Sequence, residues 1–464
     1  MEKPNIIFFI CHDLGKHLGC YDALVKSPNL DKFAKTGIQF NKTFCNATAC
    51  SPSRGCLMTG RYSHNNGLIG LSHHGWGLSQ DEKTIVDYLN DADYETVHIG
   101  HNHERHVGQN HYQIDLEESP ENSRTDYVVD DAIKYLKTRI NSDKPFYLNL
   151  GVNEVHAHHY NERYEDPYGG ATDPDQVFVP NYMPSELPMR KMFGRFQAAI
   201  EYMDQHVGRL LAEIEALGYL DNSIVIFTTD HGISGSRSKG TLYDRGMEVS
   251  YLMHLPNGLR NGYEINHLTQ HIDITPTLLE AAGIKISDEI QGKSFWPLLT
   301  DNDYQPHNEI YTERNYHIPP EQGQPVEQTY DPQRSIRTDR FHYIRYFKPD
   351  FDSRPYLPWE SPELIDSSDW GHILPETSIK RDYEELYDLA HDNGEYFNLA
   401  NNPEYQHIKK ELIDKMSKWM NQTNDHALIG TTPLPKSPDG WGYPRDTQEL
   451  ESMKEIAFNC SIPN

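Results

Sequence analysis

Pairs of aspartate and histidine follow two apolar runs of the sequence. His12 and Asp13 come directly after the first apolar run, and Asp230 and His231 come directly after a later one. Carboxylates and imidazoles both coordinate divalent metal ions. Ligands of open α/β sheets bind where the strands end, so the two pairs could meet at a single cation. The alternative is that Asp13 and Asp230 only form turns, which is the commoner role of an aspartate after a strand.

A cysteine, Cys50, begins a segment that could bind and attack an anion. Pro52 and Arg54 follow it closely. A proline favours the first turn of a helix, the N-terminus of a helix attracts anions, and an arginine adds a fixed positive charge beside the thiol. The segment therefore predicts a nucleophile at the start of a helix. The alternative is an ordinary buried cysteine close to a helix start.

The same segment, Cys50-Ser-Pro-Ser-Arg-Gly-Cys-Leu-Met-Thr-Gly-Arg61, resembles the signature of the type I, formylglycine-dependent sulfatases, a family of the alkaline phosphatase superfamily. Further segments resemble the family in its own order along the chain, and they begin at Asn5, Ser27, Gly37, Gly100, Val155, Phe227, Lys239, Asp273 and Glu385. The nearest resemblance is to bacterial carbohydrate sulfatases of the N-sulfoglucosamine sulfohydrolase (heparan sulfatase) type.

The resemblance implies a nucleophile and a set of catalytic residues. In the family the cysteine is oxidised to formylglycine, and one hydroxyl of the hydrated aldehyde attacks sulfur. Deprotonation of the other hydroxyl then expels sulfate and restores the aldehyde. The catalytic residues implied are Cys50, Arg54, His101, His103, His156 and Lys239. His103 would take the proton that releases sulfate, while His156 and Lys239 would bind sulfate and protonate the departing oxygen. A formylglycine-generating maturation enzyme is an implied partner.

The resemblance also implies a divalent cation, Ca²⁺, which would act as a Lewis acid on the sulfate. Its implied ligands are His12, Asp13, Asp230 and His231. His12 stands where the family has an aspartate, and imidazoles suit Mn²⁺ or Zn²⁺ better than Ca²⁺. The alternative is that His12 does not bind the metal. His101 stands where the family has a lysine, and an imidazole is predicted to change its charge near neutral pH.

The stretch from Gly67 to Trp76 resembles the corresponding stretch of N-sulfoglucosamine sulfohydrolases. The predicted substrate-binding residues are His73, His74, Trp76 and Arg245, with His158 and His159 as weaker candidates. The ring of Trp76 would either stack on a sugar or pack beneath the active-site loops. Arg245 would either contact a second anionic group or be a solvated surface charge.

The charge balance limits the partners. Lys and Arg total 42 and Asp and Glu total 69, for a net charge of −27. Binding to a phosphate backbone needs a positive surface, so no nucleic-acid partner is expected. An acidic surface also disfavours clamping a long polyanion, which favours exo-acting removal of sulfate from one terminal sugar. No apolar run approaches the ~20 residues of a membrane span. Six cysteines in 464 residues do not suggest a disulfide framework.

The first residues carry no targeting pattern. Met1-Glu-Lys-Pro leads into an apolar run without the charged start and the cleavage site of a leader. This is expected for a cytoplasmic protein, and equally for a periplasmic or secreted protein from which a signal peptide was removed.

Apolar runs alternate with stretches of helical spacing up to about residue 305. The runs begin at Ile6, Tyr94, Phe146 and Ile224, and the helical stretches cover Tyr127–Ile140 and Phe196–Ala216. They predict an α/β domain over residues 1–305, with a large mixed, mainly parallel sheet sandwiched by helices. The resemblance implies that this domain is the catalytic one and that its sheet is like that of alkaline phosphatase. An alternating strand at Phe341–Phe347 and a helix at Glu404–Asn421 predict a smaller C-terminal α+β subdomain with an antiparallel sheet over residues 306–464.

Together these features predict a sulfuric ester or sulfamate hydrolase that acts on a sulfated sugar or oligosaccharide. Two alternatives stay open. The first is a phosphate or phosphonate ester hydrolase of the same superfamily, and the second is a non-catalytic protein that binds sulfated glycans.

Overall fold

The computed structural model of the chain describes residues 3–104, 111–117, 123–156, 172–181, 183, 185, 187–235, 237–317, 330–348 and 382–428. The strands are β1 Asn5–Cys11, β2 Ile38–Phe40, β3 Thr43–Phe44, β4 Glu95–Gly100, β5 Ile114–Glu117, β6 Phe146–Gly151, β7 Ser223–Thr229, β8 Tyr251–His254, β9 Tyr263–Ile265, β10 Thr269–Gln270, β11 Glu309–Arg314, β12 Gln333–Thr338, β13 Phe341–Tyr346 and β14 Glu384–Asp388.

The helices are α1 Pro28–Thr36, α2 Cys50–Thr59, α3 Ser63–Asn66, α4 Ile85–Asp91, α5 Thr125–Thr138, α6 Leu187–Ala216, α7 Asp244–Met247, α8 Ile274–Ala281, α9 Trp296–Leu299 and α10 Gln406–Gln422. Short 3₁₀ helices cover Gly19–Tyr21, Ser72–His74, Tyr219–Asn222, Pro256–Gly258, His271–Asp273, Pro403–Tyr405 and His426–Leu428. Among these described elements, no helix combines the length and the apolar character that crossing a bilayer requires.

A mixed sheet of eight strands forms the centre of the fold. Its order is β5-β4-β6-β1-β7-β8-β2-β9. β8 runs antiparallel to β7 and β2, and the other neighbouring pairs are parallel. The four apolar runs of the sequence form β1, β4, β6 and β7, which are adjacent in the sheet. The predicted fold class, a mainly parallel α/β sheet, is therefore confirmed.

The central strand β1 is apolar from Ile6 onwards because helices cover both of its faces. Ile7 and Phe9 face a core that α1, α5 and α6 complete. Ile6 and Phe8 point to the other face, where α2, α4 and α8 pack. In α5 the buried residues recur at helical spacing, and they are Thr125, Val128, Val129, Ala132 and Leu136. The sheet is thus sandwiched between two helical layers, as expected.

A second sheet follows towards the C-terminus. Its order is β11-β12-β13-β14, and all its neighbouring pairs are antiparallel. α10 packs Leu412, Met416 and Trp419 against it, in a core that Cys56 and Tyr62 of the first part also enter. The predicted strand and helix of this region are therefore present. A division of the chain between residues 305 and 306 stays a prediction.

A buried ion network joins the antiparallel sheet to the part of the chain that forms the main sheet. Arg334 Nε lies 2.6 Å from Asp425 Oδ2, and Arg334 Nη2 lies 3.5 Å from Glu313 Oε2. Glu313 Oε1 in turn lies 3.0 Å from Nδ1 of His64 on α3. Buried carboxylates are stable only when they are paired, so this network constrains how α3, and α2 just before it, sit on the sheet.

We expect Arg334→Met to lower the free energy of unfolding by about 3–5 kcal/mol, because it leaves the buried Asp425 without its cation and takes one of two partners from Glu313. Urea unfolding followed by circular dichroism measures the change. The matched control is Arg340→Met. Arg340 also binds a carboxylate with two nitrogens, at 3.0 and 2.8 Å from Asp388, but 54% of its side chain is exposed. The control should lose much less stability, and an equal loss would contradict a special role of the buried network.

Candidate active site

The ends of four adjacent parallel strands meet at one edge of the main sheet. Gly100 of β4 and Ile10 of β1 both lie opposite Gly151 of β6, and Cys11 of β1 lies opposite Thr229 of β7. The residues that follow these strands include the predicted site residues His12, Asp13, His101, His103, His156, Asp230 and His231. The register of the sheet therefore brings both aspartate–histidine pairs together.

The carboxylate of Asp230 lies at the centre of the site. Its Oδ1 accepts hydrogen bonds from the backbone N–H groups of Asp13 and His231, both at 3.0 Å. Its Oδ2 accepts one from Arg54 Nε at 3.3 Å and lies 2.9 Å from His12 Nδ1. Burial alone would raise the pKa of Asp230, but His231, His12 and Arg54 hold it well below its ordinary value. Asp230 is therefore an anion.

Cys50 is the first residue of α2, as its segment predicts. Its Sγ lies 3.2 Å from His231 Nε2, whose Nδ1 lies 2.9 Å from the carbonyl oxygen of Gly232. Burial would raise the pKa of the Cys50 thiol, but the positive charges of Lys239 and His231 lower it to about 6. The free backbone N–H groups of the first helical turn favour an anion at the same place. Cys50 thus stands where a nucleophile and an anionic group can meet.

Arg54 connects α2 to the strand ends. Besides Asp230, its guanidinium contacts the carbonyl oxygen of Cys11, to which Nη2 donates at 3.1 Å. The side chain is buried. Arg54 therefore holds the start of α2 against β1 and β7.

Lys239 and His156 approach the site from the side of Asp13. Lys239 Nζ lies 2.9 and 2.8 Å from the two carboxylate oxygens of Asp13, and 3.1 Å from His156 Nε2. Ser234 Oγ donates to Asp13 Oδ2 at 2.5 Å. The ammonium group and the imidazole predicted to bind sulfate are therefore neighbours.

His101 and His103 are packed around His12. The ring centroids of His12 and His101 are 5.0 Å apart, and those of His101 and His103 are also 5.0 Å apart. Burial, together with the neighbouring imidazoles and Arg54, holds the pKa of both His101 and His103 well below the ordinary value. These surroundings favour the neutral form of His101, and the change of its charge near neutral pH stays a prediction.

His73 and His74 lie beside this group of rings. His73 Nδ1 is 3.0 Å from His103 Nε2, and the ring of His74 stands edge-on to that of His73 at 4.1 Å. The structure therefore places both predicted substrate-binding histidines next to a predicted catalytic residue.

Trp76 and Arg245, the other two predicted substrate-binding residues, contact other parts of the protein. Trp76 is 4% exposed, and its ring packs at 4.9 Å from that of Tyr316. The ring of Trp76 is therefore packed beneath the loops, and the prediction that it stacks on a sugar is corrected. Arg245 donates to the carbonyl oxygen of Gly394 at 3.0 Å and lies over the ring of Tyr396. Its guanidinium contacts the segment after β14, and its role in binding an anion stays a prediction. His158 and His159 lie outside the described residues.

The structure adds His317, which sequence reasoning missed. His317 follows β11, and its pKa is held well below the ordinary value by burial and by the charge of Lys239. A Cβ on Gly240, whose φ is +79°, would lie 2.4 Å from His317 Nδ1, so glycine is required there. No local pattern marks His317, because it reaches the site from the antiparallel sheet.

Two overlapping groups of residues here could hold a metal ion. Asp13, Cys50, Asp230 and His231 offer ligand atoms within 4.8 Å of one another, and so do His12, Asp13, Cys50 and His156. Carboxylate and imidazole donors fit a divalent cation. Another group lies apart and contains Asp244, His342 and Glu395. Its carboxylates already have partners, since Asp244 pairs with Arg337 at 3.0 Å and Glu395 lies 2.5 Å from His342.

Comparison with known proteins identifies the class. Residues 4–284 match the family model described as Sulfatase, and residues 232–356 match the model described as N-sulphoglucosamine sulphohydrolase, C-terminal. The chain belongs to the sulfatase family. It is therefore a sulfatase, a hydrolase of sulfuric esters, as the signature at Cys50 predicts.

Individual relatives are similar over almost the whole chain. An ulvan-active sulfatase of Formosa agariphila is 31% identical over 96% of this chain and 86% of its own length. The human N-sulphoglucosamine sulphohydrolase is 25% identical over 94% of this chain and 92% of its own. A solved structure described as a complex with its substrate D-glucosamine-2-N,6-O-disulfate has a TM-score of 0.66 at 20% identity, over 91% of this chain and 99% of that one. This last likeness shows a shared fold.

Loss of a residue that only supports a metal ligand costs about 10–100-fold in metal affinity. We expect Asp230→Asn to weaken the binding of Mn²⁺ by more than this, because the variant loses a charged ligand. The electron paramagnetic resonance signal of free Mn²⁺ measures the binding. Asp204→Asn is the control, since Asp204 is equally buried but caps α1 through the N–H groups of Asn29 and Leu30. Unchanged Mn²⁺ affinity in Asp230→Asn would exclude this carboxylate as a ligand.

Proposed function

We propose that the chain removes sulfate from a sulfated carbohydrate, as an ester or a sulfamate, with a nucleophile made from Cys50. The observation that carries this proposal is the position of Cys50 Sγ at the start of α2, 3.2 Å from His231 and within one ligand group with Asp13 and Asp230. The names of the ulvan-active and N-sulphoglucosamine relatives support a sulfated sugar as the substrate. The net charge of −27 supports exo action on one terminal sugar.

The nucleophile requires a modification of Cys50. Formylglycine at this position would supply a gem-diol. One of its hydroxyls would attack sulfur, and loss of the proton from the other hydroxyl would then expel sulfate and restore the aldehyde. A maturation enzyme that forms formylglycine is therefore the proposed protein partner. The buried site helps this chemistry, since bulk water is excluded around Cys50, which is 2% exposed.

Asp13, Asp230 and His231 are proposed to hold the divalent cation, with His12 beside them. A bound cation would act as a Lewis acid on the sulfate and on the attacking hydroxyl. The family resemblance favours Ca²⁺, whereas imidazole ligands favour Mn²⁺ or Zn²⁺ because Ca²⁺ prefers oxygen donors. The residues present therefore fit a cation site of mixed oxygen and nitrogen character.

His103 is proposed to take the proton from the second hydroxyl. Its Nε2 lies 3.0 Å from His73 Nδ1, and its Nδ1 has no hydrogen-bond partner among the described residues. If Nε2 donates to His73, Nδ1 is the lone pair that can accept the proton. The low pKa of the buried ring keeps it neutral before the reaction. A neutral acceptor is what this step requires.

The other catalytic residues are proposed to hold and protonate the substrate. Lys239 and His156 are 3.1 Å apart, so both can reach one sulfate group and supply a proton to the departing oxygen. Arg54 orients Asp230 and the start of α2. His101 is assigned to the pocket wall beside His12 as a neutral ring.

We expect Cys50→Ala to lower sulfate release more than about 10³-fold, since the nucleophile is removed. Release is measured with the sulfated substrate by ion chromatography, and circular dichroism checks the fold. Cys56→Ala, a buried cysteine on the same helix, is the control and should retain activity. Mass spectrometry of the Cys50 peptide from active protein should show the aldehyde or its hydrate. If Cys50→Ala releases sulfate at a rate within tenfold of the protein without the substitution, the mechanism is contradicted.

We expect 4-nitrophenyl sulfate to be hydrolysed faster than 4-nitrophenyl phosphate at equal concentration. Asp13 and Asp230 offset the charges of Lys239 and Arg54, which disfavours a dianionic phosphate ester relative to a monoanionic sulfate ester. The release of 4-nitrophenol measures both reactions. Faster phosphate turnover would favour the phosphate or phosphonate hydrolase, and tight binding of sulfated glycan without any turnover would favour a binding protein.

A further inference from the structure

The turn that carries Lys239 is held by hydrogen bonds to three other parts of the chain. The backbone N–H of Lys239 donates to the carbonyl oxygen of Ile233 at 3.0 Å. The N–H of the next residue, Gly240, donates to the carbonyl oxygen of Thr48 at 2.9 Å. The carbonyl oxygen of Gly240 accepts a hydrogen bond from Arg314 Nη1. Both polar groups of the Gly240 backbone are therefore engaged directly after the lysine.

The side chain of Arg314 is itself fixed in direction. Arg314 is the last residue of β11, and its Nη2 lies 3.5 Å from Asp331 Oδ2. That carboxylate accepts a hydrogen bond from Gln333 Nε2 at 2.6 Å, and the N–H of Asp331 donates to the carbonyl oxygen of Asn315 at 2.9 Å. The donors of a guanidinium form a rigid fork. A carboxylate at one nitrogen therefore directs the other nitrogen to Gly240.

The strand β11 is also joined to the segment that leads into α2. Thr312 Oγ1 donates to the carbonyl oxygen of Cys45, and the N–H of Glu313 donates to the carbonyl oxygen of Asn46, both at 2.9 Å. The same strand thus contacts the segment before the nucleophile and, through its last residue, the turn of Lys239. The position of the turn relative to α2 is therefore set from β11.

The ring of His317 packs against the same turn. A Cβ on Gly240 would lie 2.4 Å from His317 Nδ1 and 2.9 Å from its Cε1. The φ of Gly240 is +79°, which also favours glycine. The turn is therefore packed as well as hydrogen-bonded on the side of β11.

The turn determines where the ammonium group of Lys239 lies. Nζ is 2.9 and 2.8 Å from the two carboxylate oxygens of Asp13 and 3.1 Å from His156 Nε2. Misplacing a catalytic group by about 1 Å can cost about 10²-fold in rate. A small movement of the turn would therefore matter for the reaction.

We propose that Arg314 is a positioning residue for Lys239. Through the carbonyl oxygen of Gly240, it keeps the ammonium group where it can bind sulfate and, with His156, supply a proton to the departing oxygen. When the bond from sulfur to that oxygen breaks, the electron pair goes to the oxygen, which takes up the proton. The consequence for the rate rests on the proposed function. The effect of Arg314 on the position of Lys239 does not, because it requires no substrate and no formylglycine.

Two probes of similar shape separate proton donation from the rest of the reaction. Phenol is a weaker acid than 4-nitrophenol, so the oxygen that leaves from phenyl sulfate needs a proton more. We expect Arg314→Met to lower kcat/KM about 10²-fold for phenyl sulfate and much less for 4-nitrophenyl sulfate. In the Lys239→Met background, the same substitution should lower kcat/KM for phenyl sulfate by less than about threefold, because the residue that Arg314 positions is absent. Ion chromatography of released sulfate measures both reactions.

The matched control is Arg337→Met. Arg337 lies on the neighbouring strand β12 and pairs with Asp244 at 3.0 Å. Its exposed fraction is 7%, close to the 8% of Arg314. Both substitutions remove a buried cation from the same sheet. The control should therefore lower kcat/KM for the two probes by the same factor.

Unfolding midpoints test the position of Lys239 without any activity. Arg314→Met, Lys239→Met and the double variant are unfolded in urea and followed by circular dichroism. Loss of Arg314 also weakens the contact of Lys239 with Asp13, so the midpoint shift of the double variant should be smaller than the sum of the single shifts. The shifts of Arg337→Met and Lys239→Met should add.

Three outcomes would overturn the proposal. They are an equal loss of kcat/KM for both probes in Arg314→Met, an undiminished loss in the Lys239→Met background, and midpoint shifts of Arg314→Met and Lys239→Met that add. Arg314→Gln, which removes the charge and the fork, replaces the methionine variant if that variant does not fold. If no preparation releases sulfate from either probe, the proposed function fails, while the unfolding midpoints still decide whether Arg314 positions Lys239.

Discussion

The buried negative charge of Asp230 is the constraint around which the site is built. A carboxylate out of water is stable only when hydrogen bonds and positive charge surround it. Here two backbone N–H groups, Arg54 and the ring of His12 provide them. Because Arg54 belongs to α2, satisfying this charge also sets the position of the helix that carries Cys50. One electrostatic requirement therefore aligns β1, β7 and the nucleophile.

The antiparallel sheet completes this arrangement from the other side of α2. Cys56 and Tyr62 share a core with Trp419 of α10, and His64 of α3 pairs with Glu313 of β11. Arg314 of the same strand donates to the carbonyl oxygen of Gly240, next to Lys239. The C-terminal part thus supports both α2, which carries Cys50, and Lys239. It is therefore part of the structure that forms the site. Loss of its packing would displace Cys50 and Lys239.

The surroundings of each histidine decide its chemistry, although the residue type is the same. His231 faces the thiol of Cys50 and two carboxylates, which outweigh its burial and raise its pKa to about 9. For His101 and His103, burial together with the neighbouring rings and Arg54 lowers the pKa instead. One side of the site therefore carries charged, hydrogen-bonded groups and the other carries neutral lone pairs.

The sequence by itself determined the features that depend on neighbouring residues. The four apolar runs became the four adjacent strands because buried parallel strands need continuous apolar sequence, and the segment at Cys50 began a helix as its proline and arginine predict. The aspartate–histidine pairs were placed at strand ends by the same local signals. Only the tertiary structure decided that Trp76 packs beneath loops, that Arg245 is engaged by Gly394, and that His317 reaches Lys239. Burial and charge at these positions arise from residues far apart in the chain, and no local pattern encodes such contacts.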